Sequence, residues 1–379
     1  MTDAPRLIVF SPNWLGDAVM ALPAIDDLRR HLGARIVVVA RRSVSRLFTL
    51  VPWVDEVVEL EWRGGIADVG AMRRDIRRVK SLGAATALLL PNSFASALLA
   101  FAARVPQRWG YATDGRSLLL TRAIPRPERR VQPPSRFALW RVRRSLGGGG
   151  GDPAYDAAAG IHQGAYYQHL VRALGATTGP LEPRIGVATQ MIADARALLI
   201  AAGWDGARPI VVFAPGAAYG TAKRWWPTHY AQLAADVIAT HGAHVVLVGS
   251  AADSETTAEV LGMLPVPARG GVSDLSGRTT LEQLAAVLSL ARVCVSNDSG
   301  AMHLAAAVGV PLAALFGPTN EQETSPLVHA PLELLIHPVS CRPCMLRECP
   351  IDHPCMRDLT PARVLTSVTR LLTETGSGR

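Results

Sequence analysis

Short apolar runs recur along the chain, and each is followed by a longer segment with distinct apolar and charged faces. Leu7-Ile8-Val9-Phe10 predicts a buried first strand, and 17–30 predicts an amphipathic helix. Ile36-Val37-Val38-Val39 and Leu88-Leu89-Leu90 predict further strands. The pattern restarts past the middle of the chain. Strands are expected at 210–213, 245–248, 293–295 and 312–316, with helices around 228–241, 280–290 and 300–308. Strands of this kind alternating with helices argue for parallel sheets covered on both faces. The expected fold class is α/β with two doubly wound, Rossmann-like domains and a boundary between 180 and 195. The first domain would span 1–185 and the second 190–357. The remainder, 358–379, would hold a helix at 360–373 that packs back on the N-terminal domain. A segment at about 125–160 reads as an insertion. It is proline-rich, then basic at Arg136, Arg141, Arg143 and Arg144, then glycine from Gly147 to Gly151. Five glycines cost too much backbone entropy to be anything but loop. Phe137-Ala138-Leu139-Trp140 could touch a membrane, but its apolar face is not clean at helical spacing, which favours a mobile insertion.

Three segments carry chemistry. Ser296-Asn297-Asp298-Ser299-Gly300-Ala301-Met302-His303 lies between a predicted strand and a predicted helix. The free N–H groups and positive dipole end of such a helix attract an anion. Gly300 admits close backbone approach, Ser299 adds a hydroxyl, and His303 follows one turn later. The next strand ends in Gly317-Pro318-Thr319. An ordinary capped helix start would look similar. The second segment runs from Pro215-Gly216-Ala217 through Tyr219-Gly220-Thr221-Ala222-Lys223-Arg224 to Trp225-Trp226-Pro227. Glycine-rich backbone with adjacent Lys and Arg suits a diphosphate, which makes Gly216, Lys223 and Arg224 candidate diphosphate-binding residues. Lys223 is one of two lysines, the other being Lys80. The third segment, Ser11-Pro12-Asn13-Trp14-Leu15-Gly16-Asp17, has no Gly-x-Gly-x-x-Gly, which counts against a dinucleotide site. Asp17 at a helix start is favoured as a charged base, unless it is simply an N-cap.

Composition narrows the partners. At 379 residues with 49% hydrophobic and 18% charged content, the chain suits two folded domains. No apolar run has the length of a membrane span and the N-terminus lacks a signal peptide, so a cytoplasmic protein is expected. The net charge of +8 is uneven: residues 1–150 carry 24 Lys and Arg against 12 Asp and Glu, and the remainder carries 15 against 19. A basic N-terminal half favours an acidic glycan or membrane lipid. Nucleic acid is not expected, because aromatics make up 6% and no recognition motif is present. Cys341, Cys344, Cys349 and Cys355 fall in a tight cluster with His353 nearby. The spacing allows structural zinc, reduced thiols, or redox or iron–sulfur chemistry.

Taken in order, these segments resemble the ADP-heptose:lipopolysaccharide heptosyltransferases, glycosyltransferase family 9. The resemblance runs from Leu7 to about Thr366 and skips 125–160. Its most specific part is Asn297-Asp298-Ser299-Gly300-x-x-His303 together with Gly317-Pro318-Thr319. Pro91-Asn92-Ser93-Phe94-x-Ser96-Ala97-Leu98 and the Pro215 to Trp225 segment look more like the family's heptosyltransferase II branch than its heptosyltransferase I branch. His162-Gln163-x-x-Tyr166-Tyr167 also resembles a segment of relatives. The doubled Trp225-Trp226 departs from a single Trp before Pro and leaves the register there open.

The resemblance implies an inverting transferase of GT-B fold, its two domains facing a central cleft. Asp17 would be the general base and Lys223 the diphosphate contact. Asp298, Ser299, Gly300 and His303 would belong to the nucleotide-sugar site, and Asp253 would bind the ribose. The donor would be ADP-L-glycero-β-D-manno-heptose. The acceptor would be the lipid A-linked inner core, met at the cytoplasmic face of the inner membrane by a peripheral protein. No cofactor would be required for catalysis. The cysteine cluster occurs in some relatives and not others, so any zinc on Cys341, Cys344, Cys349 and Cys355 or His353 would be structural and remote from the donor motifs. Two other readings stay open: a different GT-B transferase or epimerase, and a non-catalytic anionic-glycan-binding protein.

Overall fold

The computed structural model describes residues 4–64, 68–127 and 161–376. Nearly all of the expected insertion, including the Phe137 to Trp140 patch, lies outside them. The chain divides into two units that meet in sequence between Gly186 and Val187.

The first unit holds a six-stranded parallel sheet built from β1 (Arg6–Phe10), β2 (Arg35–Arg41), β3 (Glu56–Leu60), β4 (Thr86–Leu89), β5 (Gln107–Tyr111) and β6 (Arg122–Ile124), in the order β3-β2-β1-β4-β5-β6. Leu7 pairs with Ile36 on one side and Thr86 on the other, which puts β1 at the centre. The side chains of Ile8, Phe10, Val37, Val39, Ala87 and Leu89 form one core layer with Ala97 and Leu99 of the helix Phe94–Ala102. The helix Leu15–Leu32 packs against the helix Gln163–Ala173, beyond the insertion. Buried Asp27 secures that return. It accepts hydrogen bonds from Gln168 Nε2 at 2.8 Å and from the Gly179 N–H at 3.0 Å.

The second unit repeats the plan with β7 (Ile210–Ala214), β8 (His244–Leu247), β9 (Val272–Asp274), β10 (Val293–Asn297), β11 (Leu312–Phe316) and β12 (Leu332–Ile336), in the order β12-β11-β10-β7-β8-β9. Every residue of β7, β10 and β11 is buried, as expected of central strands covered on both faces. The helix Pro361–Gly376, expected to pack back on the N-terminal domain, belongs to the second unit. Its Val364, Val368 and Leu371, spaced along one face, enter the second unit's own core beside the helix Pro227–His241 and strands β10 to β12. That apolar stripe is thereby used up. Among the described residues, no helix is long and apolar enough to cross a membrane.

Candidate active site

In both units the motifs sit where strands end and helices begin. Asn297, the last residue of β10, is fully buried and ties two loops together. Its Oδ1 accepts from the Trp225 N–H at 3.2 Å and the Tyr230 hydroxyl at 3.1 Å, while its Nδ2 donates to the Pro215 carbonyl at 2.7 Å. The loop after β7 is thus fixed against the end of β10. Lys223 Nζ then lies 2.7 Å from Asp298 Oδ2, with the two side chains 13% and 5% exposed. Thr319 Oγ1, after β11, donates to the same oxygen at 2.6 Å. Three segments far apart in sequence meet at one carboxylate, whose function here is to hold a lysine.

The helix Gly300–Val308 begins beside this pair, with Ser299 at its N-cap position. The Ser299 hydroxyl lies 3.2 Å from that of Ser296, and no side chain caps the helix, so its leading N–H groups keep their capacity for an anion. His303 is buried one turn in. Burial above all lowers its pKa to about 4, which keeps the imidazole neutral near pH 7. An ammonium, an uncapped helix start and glycine-rich backbone suit a bound diphosphate.

The other candidates occupy the neighbouring strand ends. Asp253 accepts from the Ser250 N–H at 2.9 Å and the Ser250 hydroxyl at 2.7 Å, so it caps the turn after β8. A Cβ on Gly216 would stand 2.3 Å from the Asp253 carboxyl group, which explains the glycine. Arg224 does not join Lys223: its guanidinium reaches Thr256 Oγ1 at 3.3 Å, on the helix Ser254–Met263. The doubled tryptophan is resolved too. Trp225 is core, its Nε1 donating to the Leu359 carbonyl at 2.7 Å, and Trp226 takes the N-cap position of the next helix.

In the first unit, Asp17 lies in the first turn of the helix Leu15–Leu32, directly after β1. The N-cap position is Trp14, so the carboxylate is not a simple cap. The Tyr167 hydroxyl lies 3.5 Å from Asp17 Oδ1. Burial first, then the Asp17 charge, raises the Tyr167 pKa well above the usual phenol value and keeps it a donor. Sequence reasoning did not single out this partner, although the Tyr166-Tyr167 motif contained it. The same motif meets the Pro91 segment, where Asn92 Nδ2 donates to the Tyr166 hydroxyl at 2.9 Å. A small open pocket is lined by Ser11, Asn13, Arg41, Trp62, Ser93 and Ser96, among others, near the carboxyl ends of β1, β2 and β4.

For the cysteine cluster the sequence leaves zinc, reduced thiols and redox or iron–sulfur chemistry open. Cys341, Cys344 and Cys355 are buried and Cys349 is half-buried, and all four are free thiols. Burial, reinforced by neighbouring thiols, raises the pKa of Cys341 and Cys344, and that of Cys355 to about 12. Cys349 Sγ accepts the His353 N–H at 3.2 Å. Among the described residues, no three His, Cys, Asp or Glu groups are placed to hold a metal ion. Nor is the cluster remote from the donor motifs. The Met345 N–H donates to the Pro318 carbonyl at 2.9 Å, and the Ala222 N–H to the Arg347 carbonyl at 3.0 Å.

Two doubly wound units of identical strand order, one carrying a phosphate-type site and the other a carboxylate after its first strand, have the layout of a GT-B glycosyltransferase. Solved structures bear this out. The E. coli ADP-heptose LPS heptosyltransferase II structure matches with a TM-score of 0.76 at 29% identity, covering 98% of this chain and 100% of that one. A glycosyltransferase family 9 structure from Veillonella parvula matches with a TM-score of 0.79 at 20% identity over 99% of both chains, a likeness of fold. Residues 164–354 match the profile of glycosyltransferase family 9 (heptosyltransferase). The chain is also 32% identical to lipopolysaccharide heptosyltransferase 2 of Salmonella typhimurium, over 98% of its own length and 99% of that protein. The chain belongs to glycosyltransferase family 9, the heptosyltransferases.

Proposed function

We propose that this protein transfers a heptose from ADP-L-glycero-β-D-manno-heptose to the inner core of lipopolysaccharide, adding the second heptose with inversion. The observation that carries the reading is the 32% identity, over nearly the whole chain, to enzymes named lipopolysaccharide heptosyltransferase 2. The joining of Lys223, Asp298 and Thr319 at one strand end supports it.

In this mechanism Asp17 takes the proton of the acceptor hydroxyl as its oxygen attacks the anomeric carbon. The bond from that carbon to the diphosphate breaks, and its electron pair leaves on ADP. Lys223 and the first turn of the helix Gly300–Val308 stabilise the charge that grows on the departing oxygen. Tyr167 hydrogen-bonds Asp17 and keeps its carboxylate oriented. Attack from the face opposite ADP converts the β-linked donor into an α-glycoside. Asp253, beside Gly216, is assigned to the ribose, and no cofactor is assigned to the transfer. The acceptor is lipid-linked and the first 150 residues are basic, which supports peripheral work at the cytoplasmic face of the inner membrane.

The test is incubation with ADP-heptose and lipopolysaccharide cores bearing one heptose or none. Mass spectrometry should find one heptose added to the one-heptose core. Addition only to the heptose-free core would move the protein to the first transfer step, and no addition to either would reject the reading.

A further inference from the structure

The cysteine-bearing loop touches the donor loop backbone to backbone. The Ala222 N–H donates to the Arg347 carbonyl at 3.0 Å. A Cβ on Gly220 would stand 2.3 Å from that same carbonyl oxygen, so only glycine lets the two chains approach. The Tyr219 hydroxyl donates to the Met345 carbonyl at 2.9 Å. On the other side, Arg342 donates to the carbonyls of Gly317 and Thr319 and pairs with Glu321. Loops 215–224, 317–321 and 342–347 therefore form one hydrogen-bonded body around Lys223.

Within it, two cations share one ring. Lys223 Nζ lies 4.9 Å from the Tyr219 ring centroid, and the Arg347 guanidinium carbon lies 5.2 Å from it. The Lys223 charge is matched by Asp298. Arg347 is exposed, and among the described residues no carboxylate lies within ion-pair distance of it. Two positive charges against one negative leave an excess beside an uncapped helix start. A guanidinium adds what an ammonium lacks, a planar fork matched to phosphate oxygens.

We propose that the 342–347 loop is a wall of the nucleotide-diphosphate site and that Arg347 is a second cation for the diphosphate. The inference rests on the reading of Lys223 as a diphosphate contact. Because Arg347 meets the donor loop through its backbone carbonyl, Arg347→Ala keeps that contact and removes only the cation.

Calorimetry with ADP and, by displacement, with adenosine tests this on the parent, Arg347→Ala, Arg347→Lys and Lys223→Ala. Arg347→Ala should weaken ADP binding by about tenfold, the scale of one charge-assisted hydrogen bond, and leave adenosine binding unchanged. Arg347→Lys should recover part of the loss, because it restores charge without the fork. If Arg347→Ala binds ADP like the parent while Lys223→Ala is weakened, this inference fails and the diphosphate site stands. If both variants bind ADP like the parent, the diphosphate reading fails first. Equal weakening toward adenosine and ADP would make Arg347 a structural residue and overturn its role as a phosphate cation.

Discussion

Lys223→Ala should damage stability and ligand binding together, and the two effects can be separated. Lys223 and Asp298 lie 2.7 Å apart and are 13% and 5% exposed. At an effective dielectric of about 20, their direct attraction is about 6 kcal/mol, most of it offset by the desolvation both groups have undergone. Removing one partner of a buried pair costs about 3–5 kcal/mol, because the other charge is stranded. Thr319 still donates to Asp298 in the variant, so the loss should lie near the lower end, about 3 kcal/mol. For a domain of this size that lowers the melting temperature by roughly 6–12 °C. In an Asp298→Asn background no charge is stranded, and Lys223→Ala should cost only about 1 kcal/mol, a coupling of about 2 kcal/mol. ADP affinity should fall by roughly 10- to 150-fold in either background, the range for one hydrogen bond to a charged group. Differential scanning calorimetry and ADP titration on the four proteins of the cycle provide both readouts. If Lys223→Ala costs the same in both backgrounds and ADP binds as before, the pair is an incidental contact and the account of this site is wrong.

Asp17→Asn should lower kcat by about 10²–10⁴ with ADP affinity unchanged, and Tyr167→Phe should lower it only a few-fold; a parent-like rate in steady-state assays of Asp17→Asn would remove it as the base. Raising salt should raise KM for the lipopolysaccharide acceptor, because exposed charges are screened over about 8 Å at physiological ionic strength. Charge reversal at Arg41, which lines the pocket, should reproduce that effect, whereas reversal at Arg74 or Arg78 should not, since both already pair with Glu61; the opposite ranking of acceptor KM would move acceptor recognition to the outer helix face. The His303 pKa is about 4, below the ordinary 6.5, so its neutral form favours the fold above about pH 6.5 and that contribution is lost as pH falls toward 4. His303→Gln should flatten this part of the stability–pH curve measured by thermal melts, and an unchanged slope would exclude His303 as its source.

What was legible in the sequence follows from burial. β1, β2, β4, β7, β8, β10 and β11 are interior strands, and an interior strand covered on both faces shows as an unbroken apolar run. The strands that carried no such signal lie at or next to the edges. β3 reads Glu-Val-Val-Glu-Leu and β5 reads Gln-Arg-Trp-Gly-Tyr, and partial exposure lets polar residues interrupt the run. β6, β9 and β12 likewise occupy the flanks of their sheets. The candidate site was visible for a related reason. Asp17, Gly216, Lys223, Asp298, Ser299 and Gly300 all lie at a strand end or helix start, where turn chemistry is local and readable.

Partners were not local. Asp17 meets Tyr167 across 150 positions and Lys223 meets Asp298 across 75. Arg224 sits next to Lys223 in sequence yet turns to Thr256. The cysteine loop, late in the chain, closes on the donor loop because Gly220 admits the Arg347 backbone. The final helix stays with its own sheet because Val364, Val368 and Leu371 find an apolar core there. Periodicity records only whether a side chain is buried. Which group it is buried against depends on how strands order themselves and which loops that order brings together, and that was decided by the tertiary structure.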